Sequence, residues 1–499
     1  MSLHIKGVTD DSRKVESGYL FVAIKGLKHD GHDYVEEAAQ KGALAVVSEE
    51  IESSSFLPVI QVKNVRKALA TLVNWFYGYP SRKLRVIGVT GTNGKTTTTF
   101  MIDTILRENN HKTGLIGTMV VRIDQEVRKA NLTTPAAQEL QEAFAQMVKL
   151  GVEYTTMEVS SQGLSMYRVD GVDFDCGLVT NLTLDHLDCH PTFTHYLEAK
   201  KKFFQMLGQG RPIFLNADDS LVLSMAKETR GKILTYGLME KADFQAENIQ
   251  LNDGGSSFFL RINKKIENHQ GQIIRPQEFP IELKVLGRHN IYNALSAGAI
   301  ALYHGVNPEN IQKGLASFQP VERRMQLVYD QEVKIIDDTA LNPGSIDVVF
   351  QAVEKMQYNN LIVINAIRGN RSPAVNQENA NAIALWLHKL GVKELISTSS
   401  VEHVGIYDIV SPEEKEAFCG EIVKQAINLQ HFSSLPAAIE YGIDKLSKGD
   451  LLLLLGAQGM DEGAQLALEF WEKKKALPNE VGCYYQLMAE QTSVALDLF

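Results

Sequence analysis

Thr90-Gly91-Thr92-Asn93-Gly94-Lys95-Thr96-Thr97 follows directly on Arg85-Val86-Ile87-Gly88-Val89, and this junction decides the fold. The apolar run has the composition of a strand buried on both faces, and Thr98 to Glu108 reads as the helix that follows it. Gly91 and Gly94 let the backbone curl so that successive N–H groups point inward. The helix start adds the positive end of its dipole. Lys95 can neutralise terminal phosphates, and the Thr96 hydroxyl can ligate Mg²⁺. Gly91, Thr92, Asn93, Gly94, Lys95, Thr96 and Thr97 are therefore expected to hold a nucleoside triphosphate, most simply ATP. A strict pattern search would miss this loop, because Val89 stands where Gly or Ala is usual.

Outward from the loop the chain divides into blocks. At about 150 residues per domain, 499 residues predict about three. Residues 1–84 alternate short apolar stretches (Leu20 to Ile24, Ala43 to Val47, Val59 to Val62) with a helical segment, Tyr34 to Lys41. Residues 85–317 contain the loop and further strands at Leu178 to Thr180, Ile213 to Asn216 and Ile233 to Gly237. Residues 318–477 carry strands at Lys334, Leu361, Glu394 and Leu451, with helices over Asn376 to Leu390 and Pro412 to Ile427. Strand–helix alternation predicts α/β domains: a central parallel sheet behind the phosphate loop, and a Rossmann-like third domain. Residues 478–499 form an extension without an assigned purpose.

Composition excludes several classes. Fifty Lys and Arg against sixty Asp and Glu give a charge of −10, which argues against nucleic-acid or anionic-membrane partners. The longest apolar run, Leu451 to Ala457, has seven residues, far short of the ~20 that span a bilayer. Cys176, Cys189, Cys419 and Cys483 are scattered without a CxxC pair and read as reduced thiols. A cytoplasmic protein, acting as a monomer on small molecules, is expected.

Three more stretches invite attention. Thr156-Met157-Glu158-Val159-Ser160-Ser161 ends a strand on a carboxylate, where α/β sheets present ligands. Asn181-Leu182-Thr183-Leu184-Asp185-His186-Leu187-Asp188 offers an imidazole and carboxylates for a metal, although, taken alone, a polar loop with a capped helix explains it better. Lys200-Lys201-Lys202, after Tyr196-Leu197-Glu198-Ala199, has the composition of a solvated helix face.

Taken together and in order, GTNGKTT, Thr133-Thr134-Pro135, MEVSS, TNLTLDHLD and YLEAKKKFF resemble the Mur ligase family, in particular its UDP-N-acetylmuramoyl-dipeptide:amino acid ligases (the MurE type). Asp11-Ser12-Arg13, Gly18 to Ala23 and Asp30-Gly31-His32 resemble that group's uridine-nucleotide domain. The resemblance implies an ATP-dependent, ADP-forming ligase that adds an amino acid to UDP-N-acetylmuramoyl-L-alanyl-D-glutamate through an acyl phosphate, in peptidoglycan precursor synthesis. Ser12 would touch the uridine part; Thr133, Thr134, Ser160 and Arg168 would touch the muramoyl-peptide part. Thr96 and Glu158 would hold one Mg²⁺, and His186 a second. Lys200 would carry a carbamate, since CO₂ converts an ammonium into an anionic oxygen ligand suited to a second Mg²⁺. Asn290 and Asn293 match the adenine-contacting segment, and Arg324 and Asp338 the third domain's nucleotide contacts. Lys95, Glu158, His186 and Lys200 form the implied catalytic set.

The third block departs from the family. Leu341 stands where a histidine is usual, and Asp461 where a glutamate is. Arg371 is the best match to the arginine that holds the added amino acid, with Asp461 as its companion. The DNPR segment of diaminopimelate-adding members is replaced by Thr398-Ser399-Ser400-Val401-Glu402. Losing an arginine that pairs with a distal carboxylate argues against diaminopimelate; lysine or another amino acid fits. The alternative is a related ligase acting on a different carboxylate outside cell-wall synthesis.

Overall fold

A computed structural model describes residues 4–26, 29–183, 192–252 and 254–476. His186, Cys189, Cys483 and the 478–499 extension lie outside the described residues. The chain forms two compact units, the first ending at Val321 and the second beginning at Glu322.

The first unit contains two large sheets. The smaller is four-stranded and parallel, in the order Gly7–Thr9, Tyr19–Val22, Ala45–Ser48, Val59–Gln61. Helix Val65–Phe76 buries Val65, Leu69, Ala70 and Val73, at helical spacing, against its apolar face. The larger sheet has eleven strands. At its centre Arg85–Thr90 pairs in parallel with Phe174–Val179 on one side and Tyr154–Glu158 on the other. Val86, Ile87 and Val89 are fully buried, because both faces of a central parallel strand are covered. Helix Lys95–Glu108 packs Met101, Ile102, Ile105 and Leu106 beneath the sheet, starting one turn earlier than its periodicity predicts. The extra turn is the loop's own lysine and threonines, which continue the helix from Gly94.

Both ends of this sheet are antiparallel, which the strand–helix reading misses. Phe244–Asn252, Gly255–Ile262 and Gln277–Leu283 form a meander, and Val120–Ile123 pairs with Glu126–Lys129 in a hairpin. The signal was present in Phe279, Ile281 and Leu283, which are buried while Glu278, Pro280 and Glu282 are exposed. Period-two alternation marks a sheet with one solvated face.

The second unit is a six-stranded sheet ordered Gln326–Asp330, Lys334–Asp338, Leu451–Leu455, Leu361–Ala366, Glu394–Thr398, Asn428–Phe432. Only the first strand is antiparallel. Leu451 to Leu455 are all fully buried, so the apolar run is an interior strand. Helix Pro373–Leu390 begins on a proline and stops at Gly391, whose φ of 71° suits glycine. Among the described residues no helix is long and apolar enough to cross a membrane.

Candidate active site

The phosphate loop is held from three sides in the first unit. Asn181 accepts from the Asn93 amide through Oδ1 (2.9 Å) and donates through Nδ2 to the Asn93 carbonyl (3.0 Å). Thr180 Oγ1 donates to the same carbonyl (2.6 Å). Thr92 Oγ1 and the Tyr196 hydroxyl lie 2.7 Å apart. Gly91 and Gly94 have φ of 140° and 86°, and the space confirms the need for glycine. A Cβ on Gly94 would sit 2.6 Å from Asn293 Oδ1, and one on Gly91 would run into Thr180 Oγ1. Lys95 Nζ folds back over the loop to the carbonyls of Gly91 (2.9 Å) and Thr92 (2.7 Å).

Glu158, at the end of its strand and fully buried, gathers the next group. Thr96 Oγ1 donates to Glu158 Oε2 (3.0 Å). The Thr118 amide donates to Oε1 (2.8 Å), and its hydroxyl to Oε2 (3.1 Å). That hydroxyl lies 3.1 Å from Thr133 Oγ1. Thr134 Oγ1 donates to the Glu158 carbonyl (2.8 Å) and accepts from the Ser160 amide (2.9 Å). Arg168 donates to the Thr134 carbonyl (3.0 Å). Thr96, Glu158, Thr133, Thr134, Ser160 and Arg168, spread over 73 positions of sequence, are thus one connected cluster.

Lys200 is not on a solvated face. It is 1% exposed, donates to the Gly91 carbonyl (3.0 Å) and Thr90 Oγ1 (3.2 Å), and lies 4.9 Å from the Tyr196 ring centre. The triplet splits because helix Phe193–Met206 buries Tyr196, Ala199, Lys200, Phe203 and Phe204. Lys201 faces outward to Glu198.

Asn290 and Asn293 are buried and joined, Asn293 Nδ2 donating to Asn290 Oδ1 (2.9 Å). Asn293 Oδ1 accepts from Thr98 Oγ1 (3.1 Å), tying helix His289–Tyr303 to the loop helix. Burial pushes the neighbouring His289 imidazole down to about 4, so it is neutral at pH 7. In the four-stranded sheet's domain, Ser12 Oγ donates to Glu37 Oε2 (3.1 Å), and Lys41 Nζ donates to the Ser12 carbonyl (2.9 Å).

Sequence reasoning gave no role to Asn181, Thr118 or Tyr196. Asn181 and Tyr196 lay inside motifs already noted; Thr118 carried no local signal.

The second unit brings Arg324 to Asp338 and holds Asp461 on the neighbouring Arg323, with Arg371 in a loop of its own. Asp338 Oδ2 accepts from the Met325 amide (2.7 Å), and burial raises its carboxyl above the usual range while Arg324 opposes this. Asp461, expected at the amino acid, is paired with Arg323, which is buried and also meets Asp337 at 3.2 Å. Arg371 sits in a loop where Asn370 and Ser372 adopt φ of 57° and 81°. Glu414, 3% exposed, holds that loop by accepting from the amides of Asn370 (3.1 Å), Arg371 (2.6 Å) and Ser372 (2.9 Å), besides Ser411 (3.0 Å). Glu414→Ala strands these donors and releases the strained loop. A loss of about 3 kcal/mol is expected, read as a lowered unfolding midpoint in urea; an unchanged midpoint would refute the role.

A strand, a glycine loop and a lysine-led helix make the first unit a phosphate-binding α/β protein, with a threonine–carboxylate pair beside the loop that offers oxygen donors to a divalent cation. The Mur ligase middle domain matches residues 89–301, the Mur ligase glutamate ligase domain residues 323–458, and the Mur ligase family catalytic domain residues 4–77. The chain is 37% identical over 459 residues to a UDP-N-acetylmuramoyl-L-alanyl-D-glutamate–2,6-diaminopimelate ligase of Bacillus licheniformis, covering 91% of this chain and 89% of that protein. A solved diaminopimelate ligase of the same description superposes with a TM-score of 0.64 at 24% identity, over 94% of this chain and 95% of the other. MurF from Thermotoga maritima, in complex with ADP, gives 0.65 at 19%, over 95% and 98%. The chain belongs to the Mur ligase family, and its architecture is that family's three-domain α/β arrangement.

Proposed function

We propose that this protein is an ATP-dependent, ADP-forming ligase that adds an amino acid to UDP-N-acetylmuramoyl-L-alanyl-D-glutamate in peptidoglycan precursor synthesis, working in the cytoplasm as a monomer. One observation carries the reading: Glu158 joins the first turn of the phosphate-loop helix, through Thr96, to the Thr133–Thr134–Ser160–Arg168 group. Phosphate and organic acid would meet across a single carboxylate.

A free carboxylate is a poor electrophile. Its oxygen attacks the γ-phosphorus, ADP leaves, and an acyl phosphate results. The amine then attacks the carbonyl carbon, phosphate departs, and an amide remains. Lys95 and the loop amides offset the charge of phosphate approaching carboxylate. Thr134, Ser160 and Arg168 orient the acceptor. Thr96 and Glu158 would hold one Mg²⁺, and His186 with a carbamate on Lys200 a second; Mg²⁺ supplies charge neutralisation at the phosphates. Asn290 and Asn293 are assigned to adenine, and Arg324 and Asp338 to the nucleotide from the second unit.

The departures at Leu341 and Asp461 favour a second reading, a ligase of this type acting on another carboxylate. Ser12 separates the two. Ser12→Ala is expected to raise KM for the UDP-linked acceptor roughly fivefold, about 1 kcal/mol, leaving KM for ATP unchanged. Indifference would favour the second reading. The direct test supplies UDP-muramoyl dipeptide, ATP and each candidate amine, and weighs the product. ADP release independent of acceptor and amine would reject a ligase.

A further inference from the structure

The second unit opens on a strained and heavily committed arginine. Arg323 and Met325 adopt φ of 56° and 46°, a left-handed backbone that is uncommon outside glycine. Such strain persists only where surrounding contacts over-determine it, and here they centre on the Arg323 guanidinium. The Arg323 side chain is 7% exposed. Nε donates to Asp337 (3.2 Å), Nη1 to the Ala457 carbonyl (3.1 Å) and to Asp461, and Nη2 to the Gly456 carbonyl. Asp337 is fully buried, whereas the Asp461 side chain is 61% exposed. One fork thus runs from interior to surface, joining the end of strand Lys334–Asp338 to the 456–461 segment that follows strand Leu451–Leu455. These strands are parallel neighbours, and the carboxyl ends of such strands are where α/β sheets receive ligands.

Stability alone does not account for this arrangement. A buried ion pair gives up its partners' hydration, and packed apolar side chains often serve as well. A planar fork adds direction, because it holds several acceptors at fixed angles. Backbone and side chain divide the work. The Arg323 carbonyl accepts from the Thr339 amide (3.1 Å) and from Arg324 Nη1 (3.2 Å), so Arg324 is tied to the strand end without the guanidinium. The guanidinium grips the 456–461 segment at its two ends, while Ser400 Oγ donates to the Gly459 carbonyl (2.6 Å) in the middle. We propose that Arg323 is a positioning residue: its side chain sets the 456–461 segment so that Asp461 meets the incoming amine, and the nucleotide contacts at Arg324 and Asp338 do not need it. The proposal rests on the ligase reading, in which Asp461 is an amino-acid contact.

Arg323→Gly removes the fork and spares the backbone, because glycine adopts a φ of 56° freely. In the full-length variant, amide hydrogen exchange of the 456–461 segment is expected to rise about tenfold or more, with the 91–97 loop unchanged. Steady-state ADP release is then followed with ATP, UDP-muramoyl dipeptide and L-lysine, or whichever protein amino acid or diaminopimelate the wild type ligates fastest. KM for the amine is expected to rise about tenfold, and KM for ATP to stay within about twofold. An arginine of purely structural value would move both constants together or neither. Losing Arg323 also leaves Asp337 without the cation that opposes its burial. Adding Asp337→Asn to Arg323→Gly removes that acid, and serves should the single variant not fold. The double variant is expected to recover the wild-type melting temperature while its KM for the amine stays high. Unchanged exchange, equal shifts in both KM values, or recovery of the amine KM in the double variant would overturn the proposal. A wild type that ligates no amine would sink the ligase reading instead, and hydrogen exchange would still decide whether Arg323 holds the segment.

Discussion

Lys95→Ala is expected to cut acceptor- and amine-dependent ADP release at least about a thousandfold, roughly 4 kcal/mol of transition-state stabilisation. The size follows from position. Lys95 is the first residue of the loop helix, and its Nζ reaches the carbonyls of Gly91 and Thr92, so it lies over the concavity that the loop amides line. A cation there acts on charge that grows as the γ-phosphoryl group moves onto the acceptor carboxylate. Its loss therefore falls on kcat more than on KM. Lys95→Arg should rescue little, because a planar fork cannot replace a compact ammonium in a loop this close. Steady-state ADP release under saturating ATP is the measurement; a rate within tenfold of wild type would remove Lys95 from the phosphate site.

Lys200→Ala is expected to lose activity about a hundredfold or more, and to regain part of it when short-chain carboxylic acids are added. Lys200 is buried directly under the loop, 3.0 Å from the Gly91 carbonyl. A carbamate keeps one N–H on Nζ, so one of its present hydrogen bonds survives the modification while two anionic oxygens are added. A small carboxylate entering the space left by the side chain can restore that negative charge, though without covalent anchoring. Rescue that depends on the acid's size would support the carbamate. A wild-type rate in the variant would exclude it. Loss without rescue, together with a lowered melting temperature, would make Lys200 a support of the loop only.

The legibility of the site differs from residue to residue for physical reasons. The phosphate loop is a local device: glycines, lysine and threonine act within eight positions, so spacing alone reveals it. Glu158 is also partly local, since a carboxylate at the end of a buried strand has few other places to go. Lys200 was legible only by resemblance, because its composition describes a solvated face; the burial of Tyr196 and Phe203 on the same side of the helix is what turns it inward. Thr118 was not legible at all, as both of its contacts to Glu158 cross forty positions of chain.

The sequence by itself determined the α/β class, the phosphate loop with its following helix, and the Leu451–Leu455 strand, because each depends on periodicity and on residues adjacent in the chain. Tertiary structure decided the rest: the antiparallel margins of the large sheet, the gathering of Thr96, Thr133, Thr134 and Arg168 on Glu158, and the grip of Glu414 on the Arg371 loop. It also decided that Asp461 pairs with the buried Arg323. Those outcomes turn on which buried polar atoms find partners, and pairing between distant segments is fixed only when the chain has closed around them.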